Sequence, residues 1–537
     1  MGDFTPVPER RERIFAFAKF NLDALLSLAT QLRGGRPCTT DVSKRPKAGS
    51  LNWVIFITFD DGIEWVFRSP HRSMSIKTES HYKMTISEAS TLKYLGKHSS
   101  VPVPEVYSFS GSHDNEIGVP YVLMSKASGR ALSEYDWSEA FQIPGYTVRI
   151  PLLPLTDRDR EKIMGQLGGI MSLLSEIYFD KIGSLFEAED GSSDCSVGEC
   201  LNPSLLWERR DKLEGIDRGP FDQESQYLSS LISAFVSHAK ELRLSPHNFF
   251  APIPDAFEYR DWASYKAAVD RWEDFYLLGE GAEGSKNRLS YCLAGEFLRE
   301  MIPSLTSHAS QSRGFVPCHP DLHIGNIFVD ENFNVTSIID WGSAYAGPLS
   351  ELLATPGLSG STSPPGESLV AAFRAGFGQG GKTIESELWV KGEMMWRFSR
   401  LVRLLSTQDY TLFKTLFELA HEDGSDDIPR TFHERSMQEH GRELLAKLRE
   451  DAEGEKSEED ESEEEEGGPK METERIAVAR KLMLMSEMNP NFVADKRLWR
   501  WLGDALDKTD CWRIITEAGQ NHIQSRWFHQ LHQLRSV

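Results

Sequence analysis

An Asp, an Asn five residues later and a second Asp nineteen residues after the first stand in His319-Pro320-Asp321-Leu322-His323-Ile324-Gly325-Asn326 and Ile339-Asp340-Trp341. Phosphoryl transfer from a magnesium–nucleotide complex needs those three groups. One carboxylate, Asp321, orients an attacking hydroxyl and accepts its proton. The amide oxygen of Asn326 and the carboxylate of Asp340 hold the metal that bridges the phosphates. Asp-x-x-x-x-Asn on its own says little, because a loop Asp is more often a turn or cap residue. The surrounding pattern adds weight. Phe315-Val316 precedes the motif, Ile327-Phe328-Val329 follows Asn326, Asp330-Glu331-Asn332 reads as a turn, and Val335 to Ile339 leads into Asp340. The order is loop, strand, hairpin turn, strand, with the acidic groups at strand ends.

A nucleotide-holding lobe must precede such a segment. Gly49-Ser50-Leu51-Asn52 comes before the apolar run Trp53 to Phe59, Asp60-Asp61-Gly62 marks a hairpin turn, and Ile63 to Arg68 returns. The small residues Gly49 and Ser50 would let backbone N–H groups approach phosphate oxygens. Arg68 ends the return strand as a permanent cation and bidentate phosphate donor. Ile86, Ala89, Leu92 and Leu95 recur at helical spacing, which puts Glu88 early in a helix, twenty residues after Arg68. A strand over Tyr121 to Lys126 is broken by Ala127-Ser128-Gly129.

Asp321, Asn326 and Asp340 reproduce the spacing of the protein-kinase catalytic loop and its metal-binding Asp, but Pro320 stands where protein kinases carry Arg, and Trp341-Gly342 follows the second Asp. That variant resembles the aminoglycoside phosphotransferase and choline-kinase-like family. Phe179 to Phe186 is similar to a segment of the large phosphotransferase group of filamentous fungi. The resemblance runs from about residue 45 to about residue 350, with weaker helical continuation to about 435. It implies an α+β bilobal protein-kinase-like fold, with a small antiparallel β lobe and a larger, mainly helical lobe. It also implies ATP and Mg2+ as cofactors and a small-molecule hydroxyl as acceptor. Arg68 takes the place of the kinase lysine, Glu88 is implied as the carboxylate that holds it, and backbone groups near Ser125 and Lys126, at the hinge between lobes, are implied to read the adenine edge. A non-catalytic nucleotide-binding scaffold and a true protein kinase are the alternatives; the absence of an A-P-E segment after Asp340 argues against the latter.

The expected organisation is an N-terminal helix over 1–35, a nucleotide lobe over 36–126, a catalytic and substrate lobe over 127–435, a disordered acidic linker over 436–470, into which a polar helix from Arg435 to Arg449 decays, and a helical tail over 471–537. In the second lobe, helices are expected over Asp157 to Phe179, Tyr227 to Leu242, Trp262 to Leu277 and Leu289 to Ile302, and a loop over Pro348 to Pro365. Glu273 and Asp274 fall in the aromatic-rich third of these.

The chain has 537 residues and a formal net charge of −22; Glu450 to Glu466 holds twelve acidic residues and one Lys, half of that total. Neither the run nor the mildly acidic remainder leaves the basic footprint of a nucleic-acid binder, and the charge fits poorly with anionic membranes. The acidic tail is a candidate docking segment for a protein partner. Six scattered cysteines make no zinc spacing and suit a reducing, cytoplasmic setting. Cys318, three residues before Asp321, is placed where alkylation would block the site.

Overall fold

The structure, a computed structural model, describes residues 20–49, 51–71, 76–137, 152–188, 195–244, 247–250, 262–266, 268–269, 282–306, 313–358, 364–379, 381–406, 408–421 and 427–459. Ser50, the start of the expected N-terminal helix, Glu273 and Asp274, and everything after Glu459 lie outside these residues.

The first lobe contains α1 (Leu22–Leu32), β1 (Cys38–Thr39), β2 (Lys47–Ala48), β3 (Asn52–Phe59), β4 (Glu64–Pro70), α2 (Thr78–His98), β5 (Val106–Ser110) and β6 (Tyr121–Ser125). Its sheet runs β1-β3-β4-β6-β5, with β2 also on β3, and the pairings are antiparallel. The period of two along β3 and β4 does the positioning. Trp53, Ile55, Ile57, Trp65 and Phe67 go to one face, where Leu25 and Ala29 of α1 cover them. Asn52, Val54, Phe56, Val66 and Arg68 therefore point the other way, into the cleft between the lobes.

The second lobe contains β7 (Arg130–Ala131), α3 (Asp157–Leu174), β8 (Leu185–Glu187), β9 (Cys195–Val197), α4 (Pro203–Leu206), α5 (Glu224–Glu241), α6 (Ser285–Glu300), α7 (Ile302–Leu305), β10 (Val316–Cys318), β11 (Ile327–Val329), β12 (Val335–Ile338), β13 (Tyr345–Gly347), α8 (Leu349–Leu353), α9 (Glu367–Phe377), α10 (Ser386–Val402), α11 (Asp409–Ala420), α12 (Ile428–Ser436) and α13 (Glu439–Glu459). The expected hairpin is β11–β12, paired antiparallel from Ile327↔Ile338 to Val329↔Val335, with β7 on the other edge of β11. This is the α+β, bilobal, kinase-like architecture that the motifs imply. Ala89, Leu92 and Leu95 of α2 share one apolar cluster with α3 and the β11–β12 hairpin, so the lobes are joined by a continuous core. Among the described residues no helix is long and apolar enough to cross a membrane.

Three expectations need correction. Glu88 is not early in its helix but at its middle: α2 runs from Thr78, ten residues before it, to His98, ten residues after. The helix lacks a side-chain cap of its own; Asp211 of the second lobe accepts instead from the Lys77 N–H at 2.5 Å and from the Ser80 hydroxyl at 2.9 Å. Pro348 to Pro365 is not all loop, since α8 occupies Leu349–Leu353. The helix expected up to Arg449 starts at Glu439 and continues to Glu459, so the first ten residues of the acidic run, expected to be disordered, are helical; Leu444, Leu445 and Leu448 recur at helical spacing and join the core, with Leu448 buried.

Gly129, at the break between lobes, has φ +86°, and a Cβ there would sit 2.2 Å from the Val329 carbonyl oxygen. Gly129→Val combines a left-handed backbone with that clash and is expected to destabilise the fold by ~2–4 kcal/mol, read as a lowered urea midpoint.

Candidate active site

The cleft holds a cavity of about 660 Å³ lined by Gly49, Asn52, Arg68, Ser125, Lys126, Asp321, Asn326 and Asp340 among others. Eight of the residues singled out by sequence thus meet at one place. Glu88 does not line it: it is buried behind Arg68, where its carboxylate accepts from Arg68 Nη1. The other end of the guanidinium, Nη2, donates to Asp340 Oδ1, a partner the sequence did not reveal. The Asn52 amide, with its oxygen turned to the guanidinium, accepts from Nη2 at 2.6 Å and Nε at 3.2 Å.

One cation thus serves two carboxylates. Burial would lower the Arg68 pKa, but Asp340 and then Glu88 override it and raise it. Burial would raise Asp340, and Arg68 outweighs it, so this carboxyl stays below its ordinary value. Glu88 goes the other way: burial pushes it up to about 7 against Arg68, with Asp340 adding repulsion. Asp340 is the firmly charged partner, and 40% of its side chain remains open to the cleft. Its φ of +68° is a conformation that Asp tolerates better than most residues and that re-aims the carboxylate after β12.

The loop carrying Asp321 is held from several sides. His319 Nε2 lies 2.9 Å from the Ile339 carbonyl, and the ring meets Trp341 edge-on at 4.7 Å. Burial lowers the His319 pKa, so the ring is neutral and Nε2 donates. Asn326 Nδ2 donates to the Asp321 carbonyl at 2.9 Å, which commits the amide NH2 and leaves Oδ1 for a cation. Arg403, at the C-terminal end of α10, donates from Nη1 to the Pro320 carbonyl at 2.6 Å and brings Nη2 to 3.7 Å from Asp321 Oδ1. Sequence reading missed Arg403; the Arg397, Arg400, Arg403 spacing on one helix face was the available signal.

Two smaller expectations fail on hydrogen bonding. The Gly49 N–H is already given to the Asn52 carbonyl at 2.8 Å, so it is not free for a phosphate. The Ser125 N–H is given to the Glu105 carbonyl at 2.8 Å, so among the backbone groups expected at Ser125 and Lys126 this donor is not free for a base edge. Cys318 is buried and burial holds its thiol well above the ordinary value, which argues against the expected alkylation.

A second cavity, about 300 Å³, opens on the far side of the loop, between β10, α8 and α10, and Asp321 and His323 line both cavities. Glu351 of α8 forms part of its wall, accepting from the Tyr345 hydroxyl and from Tyr227 at 2.8 Å. Burial raises Glu351 to about 7, with the two tyrosine hydroxyls opposing. In the unfolded chain it would lose its proton near 4.5. Its contribution is therefore fully present below that value and is lost as pH rises through 7. Glu351→Gln is expected to flatten the stability profile between those limits by ~2 kcal/mol after allowance for its partial exposure, measured as the difference between wild-type and mutant denaturant midpoints against pH.

Residues 248–388 match the model of the phosphotransferase enzyme family. That span contains Asp321, Asn326, Asp340 and Glu351 and bears out the family resemblance read from the motifs. A subtelomeric hrmA-associated cluster protein of Aspergillus fumigatus is 28% identical over 324 residues, covering 57% of this chain and 58% of that protein. The chain thus spans under two thirds of that relative's length. A mitochondrial protein of Yarrowia lipolytica named altered inheritance of mitochondria protein 9 is 29% identical over 154 residues, covering 28% of this chain and 24% of that protein. Among solved structures, a macrolide 2'-phosphotransferase type I aligns at 15% identity over 79% of this chain and 96% of its own, with a TM-score of 0.36. A spectinomycin phosphotransferase, described in complex with ADP and spectinomycin, aligns at 10% over 80% and 98%, with a TM-score of 0.33.

Proposed function

We propose that this chain transfers the γ-phosphoryl group of ATP, with magnesium, to a hydroxyl of a small molecule. The observation that carries the reading is the junction at Asp321, the carboxylate that faces both the larger cleft cavity and the smaller one. A nucleotide in the first and an acceptor in the second would place the hydroxyl and the phosphoryl group on either side of a single base. Asp321 orients the acceptor hydroxyl and takes its proton, with Arg403 Nη2 lying 3.7 Å from its Oδ1. Arg68, fixed by Glu88, steadies the phosphates.

Asn326 Oδ1 and Asp340 would hold the metal, which when bound neutralises charge on the bridged phosphates. The donor set fits magnesium: two oxygens, one of them anionic, suit an ion that takes its remaining ligands from phosphates and water. Among the described residues no cluster of three His, Cys, Asp or Glu offers a competing metal cage.

The test is calorimetric titration of the full chain with ATP and GTP, with and without magnesium. Magnesium-dependent ATP binding supports the reading and justifies an acceptor screen. Absence of nucleotide binding overturns it in favour of a scaffold role.

A further inference from the structure

The smaller cavity is unusual in its charge. Its lining includes two carboxylates, Asp321 and Glu351, and two guanidiniums, Arg400 and Arg403. Three of these four have their charges answered. Arg403 faces Asp321 and is anchored on Pro320. Glu351 is held by the Tyr227 and Tyr345 hydroxyls. Arg400 has no carboxylate within ion-pair distance among the described residues. Its guanidinium lies over the Trp396 ring, 4.4 Å from the centroid, and Nη2 reaches only the Gly357 carbonyl, at 3.5 Å. Burial, then repulsion from Arg403, lowers its pKa to about 10, so it is still charged at neutral pH. A partly buried cation without an anion is unfavourable unless something supplies one. Stacking on the indole leaves the guanidinium edge free, and that edge is the part suited to a two-oxygen anion.

We propose that the acceptor carries, besides its hydroxyl, an anionic group, a carboxylate or a phosphate, that pairs with Arg400 beside Trp396. The proposal rests on the phosphotransfer reading and deepens it by naming the substrate class. It runs against an amino-substituted acceptor, whose cation would meet Arg400. The cavity volume, about 300 Å³, is at the small end of ligand pockets and suits a compact hydroxy acid or phosphorylated polyol.

The experiment uses the full chain preloaded with magnesium and AMP-PNP, so that phosphate cannot bind in the nucleotide cavity. Binding of inorganic phosphate, D-gluconate, neutral D-glucitol and cationic D-glucosamine is measured by calorimetry up to ~50 mM, for wild type, Arg400→Gln and Arg400→Lys. The expected result is that phosphate or gluconate binds at least ~10-fold more tightly than the other two, that Arg400→Gln removes that preference, and that Arg400→Lys restores part of it. Phosphate binding alone would identify a phosphorylated acceptor, and gluconate binding alone a carboxylated one. Glucitol or glucosamine binding as tightly as the anions, an unchanged Arg400→Gln protein, or no anion binding in this range would overturn the proposal. Thermal melts of the three proteins separate loss of the site from loss of the fold. Failure of AMP-PNP itself to bind would count against the phosphotransfer reading alone. The gluconate and Arg400→Gln arms would then be read on the nucleotide-free protein.

Discussion

Asp321→Asn is expected to lower acceptor phosphorylation ~100- to 10,000-fold while leaving magnesium–ATP affinity nearly unchanged. The substitution keeps the shape of the side chain and removes the base. The backbone anchors of the loop survive, because Asn326 and Arg403 donate to the carbonyls of Asp321 and Pro320, and only the looser approach of Arg403 Nη2 to Asp321 Oδ1, at 3.7 Å, loses its charge. The fall should therefore be in turnover, with a melting temperature close to wild type. Full activity in Asp321→Asn would remove Asp321 from the chemistry and point to His323, the other residue lining both cavities. The measurement is steady-state ADP release with a saturating acceptor, paired with a nucleotide titration of the same protein.

Asp340→Asn should instead strike binding. It is expected to abolish the magnesium-dependent part of nucleotide affinity, a loss of at least ~10-fold, so that the mutant with magnesium behaves as wild type does with a chelator. Asn is the informative replacement because it accommodates the positive φ at this position, whereas Ala would add backbone strain to the loss of charge. Arg68 keeps Glu88 as its partner, so the strand and helix it joins stay together. An equal loss of affinity with and without magnesium would assign Asp340 to Arg68 rather than to a metal.

The catalytic hairpin and the strand carrying Arg68 were legible because each is set by short-range rules, and the Arg68–Glu88 pair because the family resemblance implies it. Two strands around an Asp-Glu-Asn turn fix Asn326 and Asp340, and the alternation along β4 aims Arg68. The start of α2 was not legible, because its cap is Asp211, contributed by the other lobe more than a hundred residues away. The second carboxylate on Arg68 was hidden for the same reason: Asp340 lies 272 residues along the chain. Arg400 and Arg403 were not singled out in the sequence, because only the packing of α10 against the Asp321 loop turns them toward the smaller cavity. Gly49 and Ser125 were misjudged in a different way. Their positions are as read, but their N–H groups are spent on Asn52 and Glu105, which residue type alone does not disclose.

The junction at Asp321 also bears on the order of events. On the proposed reading donor and acceptor have to be present together, because Asp321 is the one carboxylate among the described residues that lines both chambers. Initial-rate plots for such an enzyme intersect rather than run parallel. A phosphoryl group made chiral at phosphorus arrives with its configuration inverted, as a single in-line displacement requires.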